Sequence, residues 1–218
     1  MPTRDKLPPC PDPGLKKPAM LHAKQQENAG LVKKTNSAGS HIYGALQPYL
    51  GDLALRRIFN KMITLLRTGF KKDGRLDVSV LRGLDLQKDY PLRKLVRGVF
   101  QWQHVEEDHV FRFRIDIPER NGALLKRNKQ MKTYRFIIIL VHGNPERDGS
   151  MKLKSVKSKE YSFEGTGTVE ECLLELSYKP QPGQQWLFCL RAECMEGKKM
   201  ASHPKSRALL ILDGGRWE

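Results

Sequence analysis

The densest group of chemistry-bearing side chains in the chain is His104-Val-Glu-Glu-Asp-His109, two imidazoles bracketing three carboxylates. Imidazole and carboxylate are ordinary ligands for zinc and other transition metals, which makes His104 and His109 weak metal candidates. Their spacing matches neither the helical HExxH set nor another recurrent ligand pattern. A solvated hairpin tip with ordinary charged residues is the simpler expectation. Cys189 and Cys194, with His203 downstream, raise a similar question. Strand side chains alternate, so positions five apart point to opposite faces and cannot share an ion without a bulge. Gly165-Thr-Gly-Thr168 lacks the Lys-Ser/Thr ending of a phosphate loop and precedes a strand rather than a helix, so it reads as a turn. No nucleophile elbow and no pair of acids placed for general acid–base work stands out. The sequence therefore nominates no catalytic residue and no cofactor.

A second chemistry belongs to Arg56, Arg57, Asn60, Lys61, Thr64 and Arg67, continued by Lys71 and Lys72, with Arg75, Arg93, Lys94 and Arg97 as a candidate extension. Guanidinium, ammonium and amide groups are the donors that contact phosphate. The first six lie in DLALRRIFNKMITLLRTGF, residues 52–70, with no acid on their face. Leu55, Ile58, Phe59, Met62, Leu65 and Leu66 recur there with helical period, which predicts one buried face and one basic face. Asp52 suits the N-cap, and Gly69 suits the residue past the last turn. Against nucleic acid stand two absences. No aromatics interleave the cations for base stacking, since Phe59 and Phe70 are apolar-face or terminal, and no helix-turn-helix pattern is present. A solvated face, or one paired with acids of the C-terminal half, is the plainer alternative.

These residues must be held by a chain of 218 residues with a formal net charge of +15. Residues 1–100 hold 19 Lys and Arg against 8 Asp and Glu, whereas residues 101–218 hold 20 against 16. The excess thus belongs to the N-terminal part, where it would attract a polyanion or simply serve solubility. With 39% hydrophobic and 29% charged residues, the chain has the composition of a globular protein. No apolar run is long enough to span a membrane, and no secretory leader is visible. Four cysteines without an export signal point to reduced thiols in a cytoplasm.

Six prolines in residues 1–20 predict a tail or strap, which we extend over the polar residues 21–39, with at most a frayed helix there. Residues 40–98 read as a basic helical module. Ile42, Ala45, Leu46, Tyr49 and Leu50 share a face, Asp77 caps a short segment, and Pro91 opens another. From Val99 the period changes from 3.6 to 2. The alternation in HVFRFRIDI, residues 109–117, predicts a half-buried strand hairpinned to 99–104, while TYRFIIILVH, residues 133–142, is apolar on both faces and reads as a central strand. Further strands are expected at 158–164, 168–178, 185–196 and 207–213. Residues 99–218 should therefore form an antiparallel β-sandwich, Ig-like in pattern, and the whole an α+β fold.

The leading Pro/Lys-rich segment, the stretch LQPYLGDLALRRIFNKMITLLRTG, the VLRGLDL segment and the β-rich half together resemble a group of uncharacterised bacterial proteins. That resemblance implies the two-part architecture and carries no activity and no site residue. The function expected is a non-enzymatic interaction or structural protein that binds a protein partner or itself. Nucleic-acid binding by the basic helical face is the alternative, and a metal-dependent enzyme at His104 and His109 is the remotest.

Overall fold

A computed structural model describes residues 18–50, 56–87, 91–125, 130–197, 199–201 and 206–218. Helix α1 (Pro18–Leu50) and helix α2 (Arg56–Asp73) come first, then a 3-10 turn (Val78–Leu81) and a single-turn helix α3 (Leu92–Leu95). Nine strands follow among the described residues: β1 (Phe100–Val105), β2 (Val110–Ile117), β3 (Thr133–Gly143), β4 (Lys152–Lys157), β5 (Tyr161–Ser162), β6 (Glu170–Ser177), β7 (Gln185–Glu196), β8 (Lys199–Met200) and β9 (Arg207–Arg216). The result is an α+β fold whose C-terminal part is sandwich-like, with every strand pairing antiparallel.

Three layers are stacked. A six-stranded sheet, with β4-β3-β7-β9 across its width and β5 and β8 at its ends, lies in the middle. A three-stranded sheet, β1-β2-β6, covers one face. Between the sheets lie Phe111, Phe113, Ile115, Phe136, Ile138, Phe188 and Leu190. The other face of the middle sheet carries Ile137, Ile139, Val141, Leu187, Cys189, Leu209 and Ile211 against Ile42, Leu46, Ile58, Met62 and Leu66 of the two long helices. Burial on both faces is why β3 reads as an unbroken apolar run. It also sends Cys189 to the helical side and Cys194 to the space between the sheets, so the two thiols face apart, as their spacing predicts.

Helix α1 departs from the expected layout: it is one helix of 33 residues, crossing the position between residues 39 and 40 where the strap was expected to meet the helical module. Pro18 occupies the first helical position, where the absent N–H costs nothing, and Pro48 sits in the last turn. Gly39 is required rather than merely tolerated, since a Cβ there would meet Ile63 Cγ1 at 2.8 Å. The helices form an antiparallel pair, marked by Tyr43 edge-on to Phe59 at 5.4 Å.

Gly69 does not end α2. It is buried inside the helix, where a Cβ would lie 2.6 Å from Val80 Cγ1, and the glycine serves close packing on the 3-10 turn. Gly74, with φ +68 and its N–H bonded to Phe70 O at 2.8 Å, terminates the helix instead. The proposed N-cap Asp52 and stripe residue Leu55 lie outside the described residues. Asp77 and Pro91 sit where expected: Asp77 Oδ1 accepts from Ser79 N at 2.8 Å, and α3 follows Pro91 directly. Strand β4 was not anticipated. Its KLKSVK sequence is that of a charged edge strand, with Lys152, Lys154 and Lys157 exposed.

Candidate functional site

Helix α2 places the predicted cations as one set. Its solvent face carries Arg57, Asn60, Lys61, Thr64, Thr68, Lys71 and Lys72, with exposed Arg56 on the flank. Arg67 is turned aside toward α1, where Nη2 donates to Asn36 Oδ1 at 3.4 Å, so it is only half exposed. Thr64 also leaves the set of phosphate donors, because its hydroxyl donates to Asn60 O at 2.9 Å within the helix. Lys33 and Lys34 are additions the sequence reading missed. Both are exposed on α1, and Lys34 Nζ stands 6.0 Å over the Phe70 ring. Their signal, a Lys-Lys pair in a helix-compatible stretch, was hidden by the proline-rich neighbourhood.

None of the ion pairs among the described residues involves a side chain of α2. Of the two plainer alternatives, pairing with acids of the β half is not seen among the described residues, whereas a solvated face is. Those acids are engaged elsewhere: Glu175 with Arg112, Glu171 with Arg114 and Glu193 with Arg135. The Asp85 carboxyl, which feels Lys61 of this face, accepts from Leu92 N at 2.7 Å and Gln87 N at 3.0 Å. Burial pushes it up to about 6, against the pull of those N–H groups and of Arg93 and Lys61. The two long helices together carry nine Lys and Arg against two acids, and the hairpin β1–β2 with β6 carries two Arg against seven acids. The molecule is thus basic on its helical side and acidic on the far side of the middle sheet.

His104 and His109 lie in a cleft of about 490 Å3 at one end of the sandwich. Glu106, Tyr178, Trp186, Arg216 and Trp217 share its walls. The His104 ring lies flat on Phe111 at 4.3 Å, and its Nε2 is hydrogen-bonded to the Tyr178 hydroxyl. Its Nδ1 lies 3.9 Å from Glu106 Oε1, beyond hydrogen-bond reach. Tyr178 in turn stacks on Trp217 at 4.8 Å. One nitrogen of His104 is thus engaged by Tyr178, and among the described residues no three His, Cys, Asp or Glu side chains converge as a metal site. His109 adopts φ +52 in the β1–β2 turn, a left-handed conformation that suits the hairpin tip. Sequence reasoning could not find Tyr178, Trp186 and Trp217, because only the pairing of distant strands brings them to His104.

Desolvation holds His104 and His142 below the ordinary imidazole value of 6.5; for His104 the nearby Glu106 and Asp213 oppose it and His109 adds to it. A histidine whose folded pKa is depressed binds fewer protons when folded, so its contribution to stability is complete above about 6.5 and is lost as pH falls toward the folded value. The His104 ring protons should accordingly titrate in NMR with a midpoint below 6.5. The loss of urea stability between neutral and mildly acidic pH should be smaller in His104→Gln. A midpoint at or above the free value would mean that Glu106 outweighs burial.

No family model matches the chain, and neither the curated proteins nor the solved structures hold a match to it. No helix among the described residues is long and apolar enough to cross a membrane.

Proposed function

We propose that the protein is a non-enzymatic nucleic-acid-binding protein, with the helical layer as its contact surface and the sandwich as scaffold. The observation that carries this reading is the solvent face of α2, where Arg57, Lys61, Lys71 and Lys72 form no ion pair among the described residues while the apolar face shares a core with the middle sheet. A helix of 18 residues spans about 27 Å. That length runs along several phosphates of a duplex, and Lys33 and Lys34 widen the surface. Backbone phosphates rather than base edges are the matching target, since stacking aromatics are absent from this face. Three of the four cysteines are free and buried, which supports a reducing compartment such as the cytoplasm.

Fluorescence anisotropy with a labelled duplex tests the reading. The parent should bind at low salt with log K falling steeply as log salt rises, by about 0.9 per phosphate neutralised. Replacing Arg57, Lys61, Lys71 and Lys72 together by alanine should weaken binding at least about tenfold and flatten the slope by roughly 3 to 4. Absence of binding at low salt, or a quadruple variant that binds like the parent, would overturn it.

A further inference from the structure

The two sheets leave edges, and three of the four are defended. At the β9 edge the backbone of residues 83–86 closes the ladder, with Gly83 N bonded to Ile211 O, Leu86 N to Leu209 O and Ile211 N to Leu84 O at 2.8 to 3.0 Å. Edge strand β4 carries three exposed lysines, and edge strand β6 carries Glu170, Glu171 and Glu175. Charges of that kind are how sheets resist pairing with another chain. Strand β1 differs. FQWQHV holds no Lys, Arg, Asp, Glu or Pro, and its register with β2 runs without a bulge from Phe100–Ile115 to Val105–Val110. No backbone hydrogen bond of residues 100–105 beyond that ladder exists among the described residues.

The open groups can be assigned. Tyr178 N donates to His109 O at 2.9 Å, continuing the β2–β6 register. Antiparallel ladders alternate, so odd-numbered residues of β2 bond to β6 and even-numbered ones to β1. On β1, Gln101, Gln103 and Val105 then bond to β2, while the N–H and C=O groups of Phe100, Trp102 and His104 face outward. Beside them, Phe100 and Trp102 are only partly buried at the rim of the core, and Val99 just before the strand is 85% exposed.

We propose that β1 is a homodimerisation strand, pairing antiparallel with β1 of a second copy so that the two three-stranded sheets join into one of six. Side-chain alternation allows only registers that place inward residues opposite inward ones. The register centred on Trp102 satisfies this and overlaps the whole segment 99–105. It sets Trp102 opposite the partner's Trp102, Phe100 opposite the partner's His104, Gln101 opposite the partner's Gln103, and Val99 opposite the partner's Val105. The same geometry carries exposed Arg97, just outside the strand, to the partner's Glu106–Glu107 turn, and the two-fold repeats that charge match. An axis perpendicular to a continuous sheet leaves both helical layers on the same side of the dimer, away from the joined sheet.

Sedimentation velocity or light scattering on the full chain should give twice the 25.0 kDa chain mass at tens of micromolar. The exposed pair Gln101→Lys and Gln103→Lys should return the monomer mass with an unchanged circular dichroism spectrum. In a Cys10→Ser background, Gln101→Cys with Gln103→Cys should form a covalent dimer on mild oxidation, reversed by reductant, and faster than Gln101→Cys alone. Opposed residues in that pair stand about 4.5 Å apart between Cα atoms, within disulfide reach. A monomeric parent, a dimer that survives the two lysines, or single and double cysteine variants that cross-link at equal rates would each overturn the proposal.

Discussion

Glu193→Ala is expected to lower the unfolding free energy by about 3–5 kcal/mol, a large part of the total for a domain of this kind. Glu193 lies on the helical side of β7 with 6% of its side chain exposed. Its Oε2 accepts from Arg135 at Nη2 (2.7 Å) and Nε (2.9 Å), and its Oε1 lies 2.7 Å from Arg191 Nε. Arg191 is itself 4% exposed, and burial draws its pKa down while Glu193 opposes the fall. Arg207 is buried nearby and adds a repulsive field. Removing the carboxylate therefore leaves several positive charges in an interior where water is scarce. The Tyr49 ring, 5.6 Å from the Arg191 guanidinium, would be the remaining stabilising neighbour from the helical layer. Urea unfolding of the variant measures the loss. Adding Arg191→Met should recover most of it, since an apolar side chain of similar length removes the stranded charge. A loss below about 1 kcal/mol, or no recovery in the double variant, would mean that the cluster rearranges to reach solvent.

The same cluster shows where sequence reading ends. Periodicity made the β half legible because alternation is local: HVFRFRIDI already separates Phe111, Phe113 and Ile115 from Arg112 and Arg114, and the structure buries the first set, leaves Arg112 half-buried and exposes Arg114. Cys189 and Cys194 could be sent to opposite faces by counting alone. What counting cannot supply is a partner distant in sequence. Glu193 and Arg135 are 58 positions apart, and His104 and Tyr178 are 74 apart, so neither pair announces itself before the strands are ordered. Glycine roles failed for a related reason. Gly69 and Gly74 both look like helix ends from sequence, but the contact with Val80 decides that the first packs and the second terminates. The 18–39 portion of α1 was misread because the six prolines preceding and opening it dominated the composition, whereas helix continuation depends on packing further along, at Ala38, Ile42 and Leu46. The cations of α2 were legible, unlike the two lysines of α1. That none of the ion pairs among the described residues involves α2 was not legible, because it is a property of where the acids go.

Phe111→Ala should also cost about 3–5 kcal/mol, and it separates scaffold from contact surface more sharply than any surface variant. The ring is fully buried at the centre of an aromatic group: 4.7 Å from Phe188 and stacked, 5.0 Å from Trp186, 5.1 Å from Tyr178, and under His104. Truncation forfeits the apolar transfer energy and opens a cavity that the strands β2 and β7, fixed by their ladders, cannot close. Phe111→Leu keeps most of the volume and should lose markedly less. Beyond stability, the variant removes the surface on which the His104 ring rests, so the chemical shifts of His104 and its titration midpoint should move toward those of a solvated imidazole. Helix α2 lies across the middle sheet from Phe111 and packs on a different cluster. Duplex binding, measured at a temperature where the variant remains folded, should therefore match the parent within about twofold, well inside the roughly 1.4 kcal/mol that a tenfold change represents. Equal loss of binding and stability would place the nucleic-acid contact at the sandwich end rather than on the helices, and the cleft around His104 would become the surface to mutate next.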